Sequence, residues 1–306
     1  MREAVALGLE ELSRTLELLR SLEEDDWARP TDCTGWDVHD VVAHLVGQFE
    51  GAARPYRLLR RVRTARRMAR EARQNNEGEH SDRPGYGVLD GHNELQVRER
   101  KGVPPDRLVE ELEWWGGRGI RSFGRIPAPL RRMRLSRLFP EAVAMPDDSL
   151  DFLIRIIGPR DPWMHRIDIC AAVGRPFAAD SHDAKIVEQV VADLIELWQP
   201  REARQNNEGD LHRRPDHARQ PATRHAETQP REARRYSEEG RLPAVNLVLE
   251  GPAGGEWVVG QGVPVAEVRC DAIAYCRHAS GRPGPDADVS GEREVGEALL
   301  EVKISF

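Results

Sequence analysis

The stretch of chain that most constrains the fold runs from Thr31 to Phe49 and changes from a turn into an amphipathic helix. Gly35 marks the break, and Asp37 is placed to cap the new helix, with Asp40 three residues on in an acidic variant of the capping box. Apolar residues then follow at helical spacing: Val38, Val41, Val42, Leu45, Val46 and Phe49. This pattern predicts a helix that buries one face against other helices.

His44 lies at the edge of that apolar face, where a buried imidazole needs a polar partner. The segment 160–176 offers candidates, because Asp161, His165 and Asp168 are spaced by four and three residues and share one helical face. The imidazoles of His44 and His165 with the carboxylate of Asp161 would form a three-ligand metal site with one position open, as catalytic zinc requires. The alternatives are a hydrogen-bonded core histidine at 44 and, at 161, an acid favoured by the helix dipole.

Together these segments resemble the mycothiol-dependent maleylpyruvate isomerase family, part of the DinB-like group of metal-binding four-helix bundles. The matching motifs are Cys33-Thr-Gly-Trp36, Val41-Val-Ala-His-Leu45, Asp161-x-x-x-His165-Arg-x-Asp168 and Gly174-Arg-Pro176. The resemblance implies that His44, Asp161 and His165 bind a divalent metal, with Zn²⁺ expected. The family's acid is a glutamate, so Asp161 is a departure with a shorter side chain. Asp168, one turn from His165, is the expected acceptor for an imidazole N–H.

The resemblance also implies an enzyme whose thiol is the small molecule mycothiol rather than a cysteine of the chain. A thiol coordinated to the metal loses its proton, and the thiolate adds to an activated double bond. Rotation and elimination complete an isomerisation, whereas attack on another electrophile completes a thiol transfer. We therefore expect an isomerase or thiol transferase for a small electrophilic substrate, with Arg282 as a donor to an anionic group. The alternative within the family is a protein that binds metal without catalysis.

A third function class rests on the segment Arg54–Arg73, which contains nine arginines. It is consistent with a helix that binds nucleic acid or a membrane, or with a solvated helix face that pairs with acidic residues. The net charge of −7 argues against a general nucleic-acid-binding surface. The chain has no apolar run near 18 residues, and its four cysteines form no C-x-x-C pair. We expect a soluble, cytoplasmic protein with neither nucleic acid nor membrane as partner.

A chain of 306 residues is more typical of two domains than of one. We predict a metal-binding helical bundle over residues 1–198 and a small α+β domain, distantly similar to sterol carrier domains, over 241–306. The fold class expected is therefore α+β. Between them, residues 199–240 have almost no apolar content, which predicts a disordered linker.

In the C-terminal segment, the pattern of apolar and polar residues predicts β-strands at 244–250, 256–260 and 265–270. Helices are expected at 271–279 and 294–302. One further feature is a nonapeptide, Arg-Glu-Ala-Arg-Gln-Asn-Asn-Glu-Gly, that occurs at 70–78 and again at 201–209. Two copies do not make a repeat architecture, and we have no physical account of the duplication.

Overall fold

A computed structural model describes the chain over residues 1–75, 86–198 and 242–306. The chain divides into two compact units, one formed by residues 1–177 with Phe306 and the other by 178–305. The first unit is helical, and the second contains a small sheet with helices. The α+β class expected from the sequence is therefore confirmed.

The described residues of the first unit form a series of helices. They are α1 (Arg2–Arg20), α2 (Val38–Ala53), α3 (Pro55–Asn75), α4 (Val88–Arg98), α5 (Pro105–Phe123), α6 (Ala128–Arg131), α7 (Leu150–Phe152) and α8 (Gly158–Ala172). Turns of 3₁₀-helix lie at Glu24–Ala28, Leu135–Arg137 and Pro140–Ala144. Helix α2 packs against α5, α4, α3 and α8, and α1 packs against α5 and α8.

Helix α2 lies in the core of this unit, as its sequence predicts. Its apolar residues are at most 2% exposed: Val38, Val41, Val42, Leu45, Val46 and Phe49. The predicted cap is confirmed, because the Asp37 carboxylate accepts a hydrogen bond from the backbone N–H of Asp40 at 2.8 Å. Helix α5 approaches closely at Gly119, where a Cβ would lie 2.6 Å from the Phe49 carbonyl oxygen. Close backbone packing at this crossing therefore requires a glycine.

Helix α8 begins before the position that its proline would suggest. Proline is favoured in the first turn of a helix, but α8 begins at Gly158, four residues before Pro162, and continues directly from a π-helical turn at Leu153–Ile157. Pro162 is inside the helix, where it has no N–H to donate to the carbonyl four residues earlier. Apart from Asp161, every residue of α8 from Pro159 to Cys170 is buried. The polar residues of this helix must therefore find partners inside the protein.

The second unit combines α9 (Ser181–Leu197) with a four-stranded sheet and two further helices. These elements are β1 (Ala244–Glu250), β2 (Gly255–Val259), β3 (Pro264–Asp271), α10 (Ala272–Ala279), β4 (Asp288–Gly291) and α11 (Arg293–Leu300). The strand order is β2-β1-β3-β4, with β1 and β3 parallel and the outer pairs antiparallel. Three strands and both helices match the sequence pattern; β4, a short edge strand with little apolar content, was not predicted.

The boundary between the units differs from the predicted domain boundary at residue 198. Helix α9 packs with α10 of the second unit, and Trp198, which follows α9, donates its indole N–H to the carbonyl of Pro243 at 3.0 Å. The amphipathic pattern of α9 predicts a helix but carries no information about which unit it joins. The predicted linker 199–240 and the second copy of the nonapeptide lie outside the described residues.

Much of the arginine-rich segment Arg54–Arg73 forms α3, and several of its arginines bind acidic side chains of the same unit. Arg61 is 1% exposed and lies 2.6 Å from carboxylate oxygens of both Glu50 and Glu99. Arg57 lies 3.0 Å from Glu50. These pairs fit the interpretation of α3 as a helix face that pairs with acidic residues. Among the described residues, no helix is both long and apolar enough to span a lipid bilayer.

Candidate metal centre

Helices α2 and α8 bring together the three side chains predicted as metal ligands. Nε2 of His44 lies 3.6 Å from Oδ2 of Asp161, and Nε2 of His165 lies 3.6 Å from the other oxygen, Oδ1. One donor atom from each of the three residues falls within 4.8 Å of the other two. The two imidazole rings meet edge to face, with centroids 5.2 Å apart. Residues 117 positions apart along the chain therefore converge on one point.

The geometry of these donors suits a small divalent cation. Ligand atoms bound at about 2.0–2.2 Å in a tetrahedron are separated from one another by about 3.4 Å. The separations of 3.6 Å between Asp161 and each histidine are close to that value, and they are too long for hydrogen bonds. Two imidazole nitrogens and one carboxylate could thus hold Zn²⁺ or a similar ion, with one position left for another ligand. The shorter arm of Asp161 does not prevent its carboxylate from lying between the two rings.

The two histidines of this cluster are largely shielded from solvent. His44 and His165 are 5% and 7% exposed, whereas Asp161 is partly exposed. The indole of Trp36, in the turn before α2, lies with its centroid 5.2 Å from that of His44 and 6.5 Å from that of His165. Trp36 therefore covers both imidazoles on one side, while the cluster keeps some exposure at the carboxylate.

Asp168 lies where the sequence places the acceptor for a ligand imidazole. It is fully buried, and its Oδ2 is 3.2 Å from Nδ1 of His165. The same oxygen lies 3.4 Å from Sγ of Cys33, which is placed to donate to it. Cys33 belongs to the motif Cys33-Thr-Gly-Trp36, but spacing along the chain could not predict its contact with Asp168. These contacts leave Nε2 as the nitrogen of His165 that faces Asp161.

Electrostatics at His165 favour the charged ring in the absence of another cation. Burial opposes that charge, but the attraction of Asp161, the hydrogen bond to Asp168 and the contact with Cys33 outweigh it and raise the pKa of His165 to about 10. The imidazolium then lies between two carboxylates. A metal ion bound at the cluster would take the place of the Nε2 proton, and the Nδ1–H bond to Asp168 would be retained.

His44 is oriented by two residues that sequence reasoning missed. Its Nδ1 lies 2.7 Å from Oε1 of Gln96 in α4, and Nε2 of Gln96 lies 3.0 Å from Nε2 of His92, one turn earlier. Gln96 is 1% exposed and His92 is 6% exposed. The only sequence signal for His92 and Gln96 is that they are polar residues four positions apart, which places them on one face of a helix.

Among the described residues, two other groups also offer three potential ligands, namely Cys33–His165–Asp168 and Asp37–His39–Asp40. The first shares His165 with the cluster above, through the nitrogen that bonds to Asp168. In the second, the carboxylate of Asp37 already caps α2. Arg282, predicted to contact substrate, belongs to the second unit, where its guanidinium donates to the hydroxyl of Ser280 at 2.8 Å. It is not among the side chains brought together at His44.

Comparison with a family model points to the same family as the sequence motifs. A family model described as the mycothiol maleylpyruvate isomerase N-terminal domain matches residues 9–170, just over half of the chain, which include His44, Asp161 and His165. The chain is similar to a crystal structure of the mycothiol-dependent maleylpyruvate isomerase, with 14% identity and a TM-score of 0.48. The crystal structure of a histidine-to-alanine mutant of that protein gives 13% identity and a TM-score of 0.49. Each alignment covers 94% of this chain and 92% of the other. A comparison with curated protein sequences gives no match.

Proposed function

The chain belongs to the family of the mycothiol maleylpyruvate isomerase N-terminal domain, and on that premise we propose that it is a metal-dependent enzyme that uses mycothiol as its thiol cofactor. The proposed reaction is an isomerisation of, or a thiol transfer to, a small electrophile in the cytoplasm, where thiols stay reduced. The observation that carries this proposal is the convergence of His44, Asp161 and His165 from two helices on one point.

In this proposal the residues of the chain hold the metal ion and orient its ligands, and the thiol comes from the cofactor. His44, Asp161 and His165 bind Zn²⁺ or a similar ion, which when bound stabilises the thiolate form of a small thiol. Asp168 holds the ring of His165 through Nδ1. Trp36 excludes water from one side of both imidazoles. No cysteine of the chain is required as a nucleophile.

The chemistry of the thiolate then determines the reaction class. When bound, mycothiol would supply a thiolate that could isomerise an activated double bond by reversible addition to one of its carbons. With another electrophile, the same thiolate would displace a leaving group and stay on the product. Arg282 remains the proposed donor to an anionic group of the substrate.

Metal content tests the site. Purified protein should contain about one Zn²⁺ or similar ion per chain, and the His44→Ala and His165→Ala variants should each lose it. His39→Ala is a matched control, because His39 lies in the same helix with its Nε2 2.8 Å from the backbone carbonyl of Val103. Stoichiometric metal in both ligand variants would refute the site, and loss of metal only in His39→Ala would move the site to the Asp37–His39–Asp40 group.

Turnover tests the reaction. The metal-loaded protein should convert maleylpyruvate or another small electrophile only when mycothiol is present, and His165→Ala should abolish this activity. The same electrophiles without mycothiol provide the control. Full metal occupancy without turnover of any electrophile would favour the alternative, a member of the family that binds metal without catalysis.

A further inference from the structure

Two consecutive hydrogen bonds link His44 to Gln96 and then to His92, both on α4. We infer that Gln96, itself held by His92, is a positioning residue that keeps the proton of the His44 imidazole on Nδ1 and so leaves the lone pair on Nε2, which faces Asp161. This inference rests on the proposed metal site, since it names what orients one of the proposed ligands.

The first hydrogen bond determines the tautomer of His44. Oε1 of Gln96, which can only accept, lies 2.7 Å from Nδ1 of His44. Nδ1 must therefore carry a proton for this bond to exist. In a neutral imidazole the other nitrogen then has the lone pair. That nitrogen, Nε2, is the atom placed 3.6 Å from the carboxylate of Asp161, as a metal ligand would need to be.

The second hydrogen bond determines which way the amide of Gln96 points. Its Nε2, which can only donate, lies 3.0 Å from Nε2 of His92. His92 has to be neutral to accept this bond. Burial first, and then the charge of nearby Arg61, lower the pKa of His92 to about 3, so the ring is neutral at pH 7. Rotation of the amide by 180° would place its NH₂ against Nδ1 of His44 and reverse the tautomer.

Packing keeps Gln96 in place. A Cβ added at Gly47 of α2 would lie 2.6 Å from both Cβ and Cγ of Gln96. The side chain of Gln96 therefore occupies space that only glycine leaves open. Gly51, one turn further along α2, provides a contrast, because a Cβ there would meet neighbours at an ordinary 3.7 Å. Helix α4 therefore approaches α2 closely at the residue that contacts His44.

The tautomer of His44 can be measured without metal. Long-range ¹H–¹⁵N spectra of the metal-free full chain at pH 7 should show a protonated Nδ1 on His44, and His92→Phe should give a mixture of tautomers. An unprotonated Nδ1 in the parent would overturn the inference, even if the protein binds metal. A protonated Nδ1 in a protein that binds no metal would leave the inference intact and refute the proposed function.

Zn²⁺ affinity tests the positioning role. Gln96→Leu, which removes the acceptor, should weaken Zn²⁺ binding about 10–100-fold, whereas Gln96→Glu, which keeps an acceptor oxygen, should bind at least as tightly as the parent. Gly47→Ala should weaken binding although residue 47 touches no ligand, and the control Gly51→Ala should not. Equal affinities for Gln96→Leu and the parent, or equal losses for Gln96→Leu and Gln96→Glu, would show that Gln96 is only a packing residue.

Discussion

At the scale of single residues, the two histidines of the candidate site are held by partners of different charge. His165 donates to the carboxylate of Asp168, and His44 donates to the neutral amide of Gln96. A carboxylate partner raises the basicity of an imidazole ligand more than an amide does. Asp161, placed between the two rings, would contribute the negative charge that faces the proposed ion.

The role of Asp161 leads to a prediction about the family's usual acid. Asp161→Glu should retain Zn²⁺, because it restores the glutamate of the family motif with the same charge. Asp161→Asn should lose most of the affinity, because an amide supplies neither the charge nor the basicity of a carboxylate. Asp168→Asn should weaken binding less, about 10–100-fold, since it alters only the partner of a ligand. Competition with a chromogenic chelator measures all three.

The same series can reverse the assignment. If Asp161→Asn binds Zn²⁺ like the parent and Asp168→Asn does not, then Asp168 is the ligand and Asp161 the accessory acid. The ion would in that case lie at the Cys33–His165–Asp168 group, and Cys33→Ser would also weaken binding.

At the scale of elements, a buried cluster of ion pairs around Glu50 joins α2 to its neighbours. Glu50 is 3% exposed, and its carboxylate lies 2.6 Å from Arg61 and 3.1 Å from Arg100. Burial disfavours the charge on Glu50, but hydrogen bonds from Arg100, Arg57 and Arg61 outweigh it and lower the pKa of Glu50 to about 2. The carboxylate of Glu50 on α2 therefore pairs with arginines on α3 and just after α4.

We expect Glu50→Gln to lower the free energy of unfolding at pH 7 by about 2 kcal/mol, because it removes one of the two carboxylates that pair with each of the buried guanidinium groups of Arg61 and Arg100. The pKa of Glu50 is lower in the folded than in the unfolded chain. Its contribution is therefore complete above about pH 4.5 and is lost as the pH falls towards about 2. The gap between parent and variant in urea unfolding should close over that range.

A surface pair supplies the control for this prediction. Glu71 and Arg67, both on α3, lie 3.6 Å apart, and both side chains are more than 60% exposed. Glu71→Gln should change the unfolding free energy by less than about 1 kcal/mol. Equal effects of Glu50→Gln and Glu71→Gln at pH 7 would contradict the structural importance of the buried cluster.

At the scale of the whole molecule, the placement of α9 changes what cleavage of the chain should do. The composition of residues 199–240 predicts that trypsin at low concentration cuts there first. The N-terminal fragment would then end with α9 and Trp198, which pack in the second unit. We therefore expect the two fragments to co-elute in native size-exclusion chromatography and to separate in denaturant. Native separation of the fragments, or a first cut outside 199–240, would contradict this prediction.

The sequence alone determined the features that depend on local periodicity and on short motifs. The cap and apolar face of α2, the strands β1 to β3 and the α+β class follow from residues close together in the chain. The paired motifs around His44 and His165 were enough to predict the family, which the family model confirms. In each case the signal is carried by side-chain spacing within one or two elements.

Only the tertiary structure decided which residues meet across elements. The contacts of Gln96 with His44, of Cys33 with Asp168 and of Glu50 with Arg61 join residues 52, 135 and 11 positions apart. Such contacts depend on where helices cross and on how closely their backbones approach, as at Gly47. The spacing of apolar residues along one helix predicts neither the crossing point nor the distance of approach. For the same reason the amphipathic sequence of α9 accounts for a helix but not for the unit that it joins, because an apolar face specifies burial without specifying a partner.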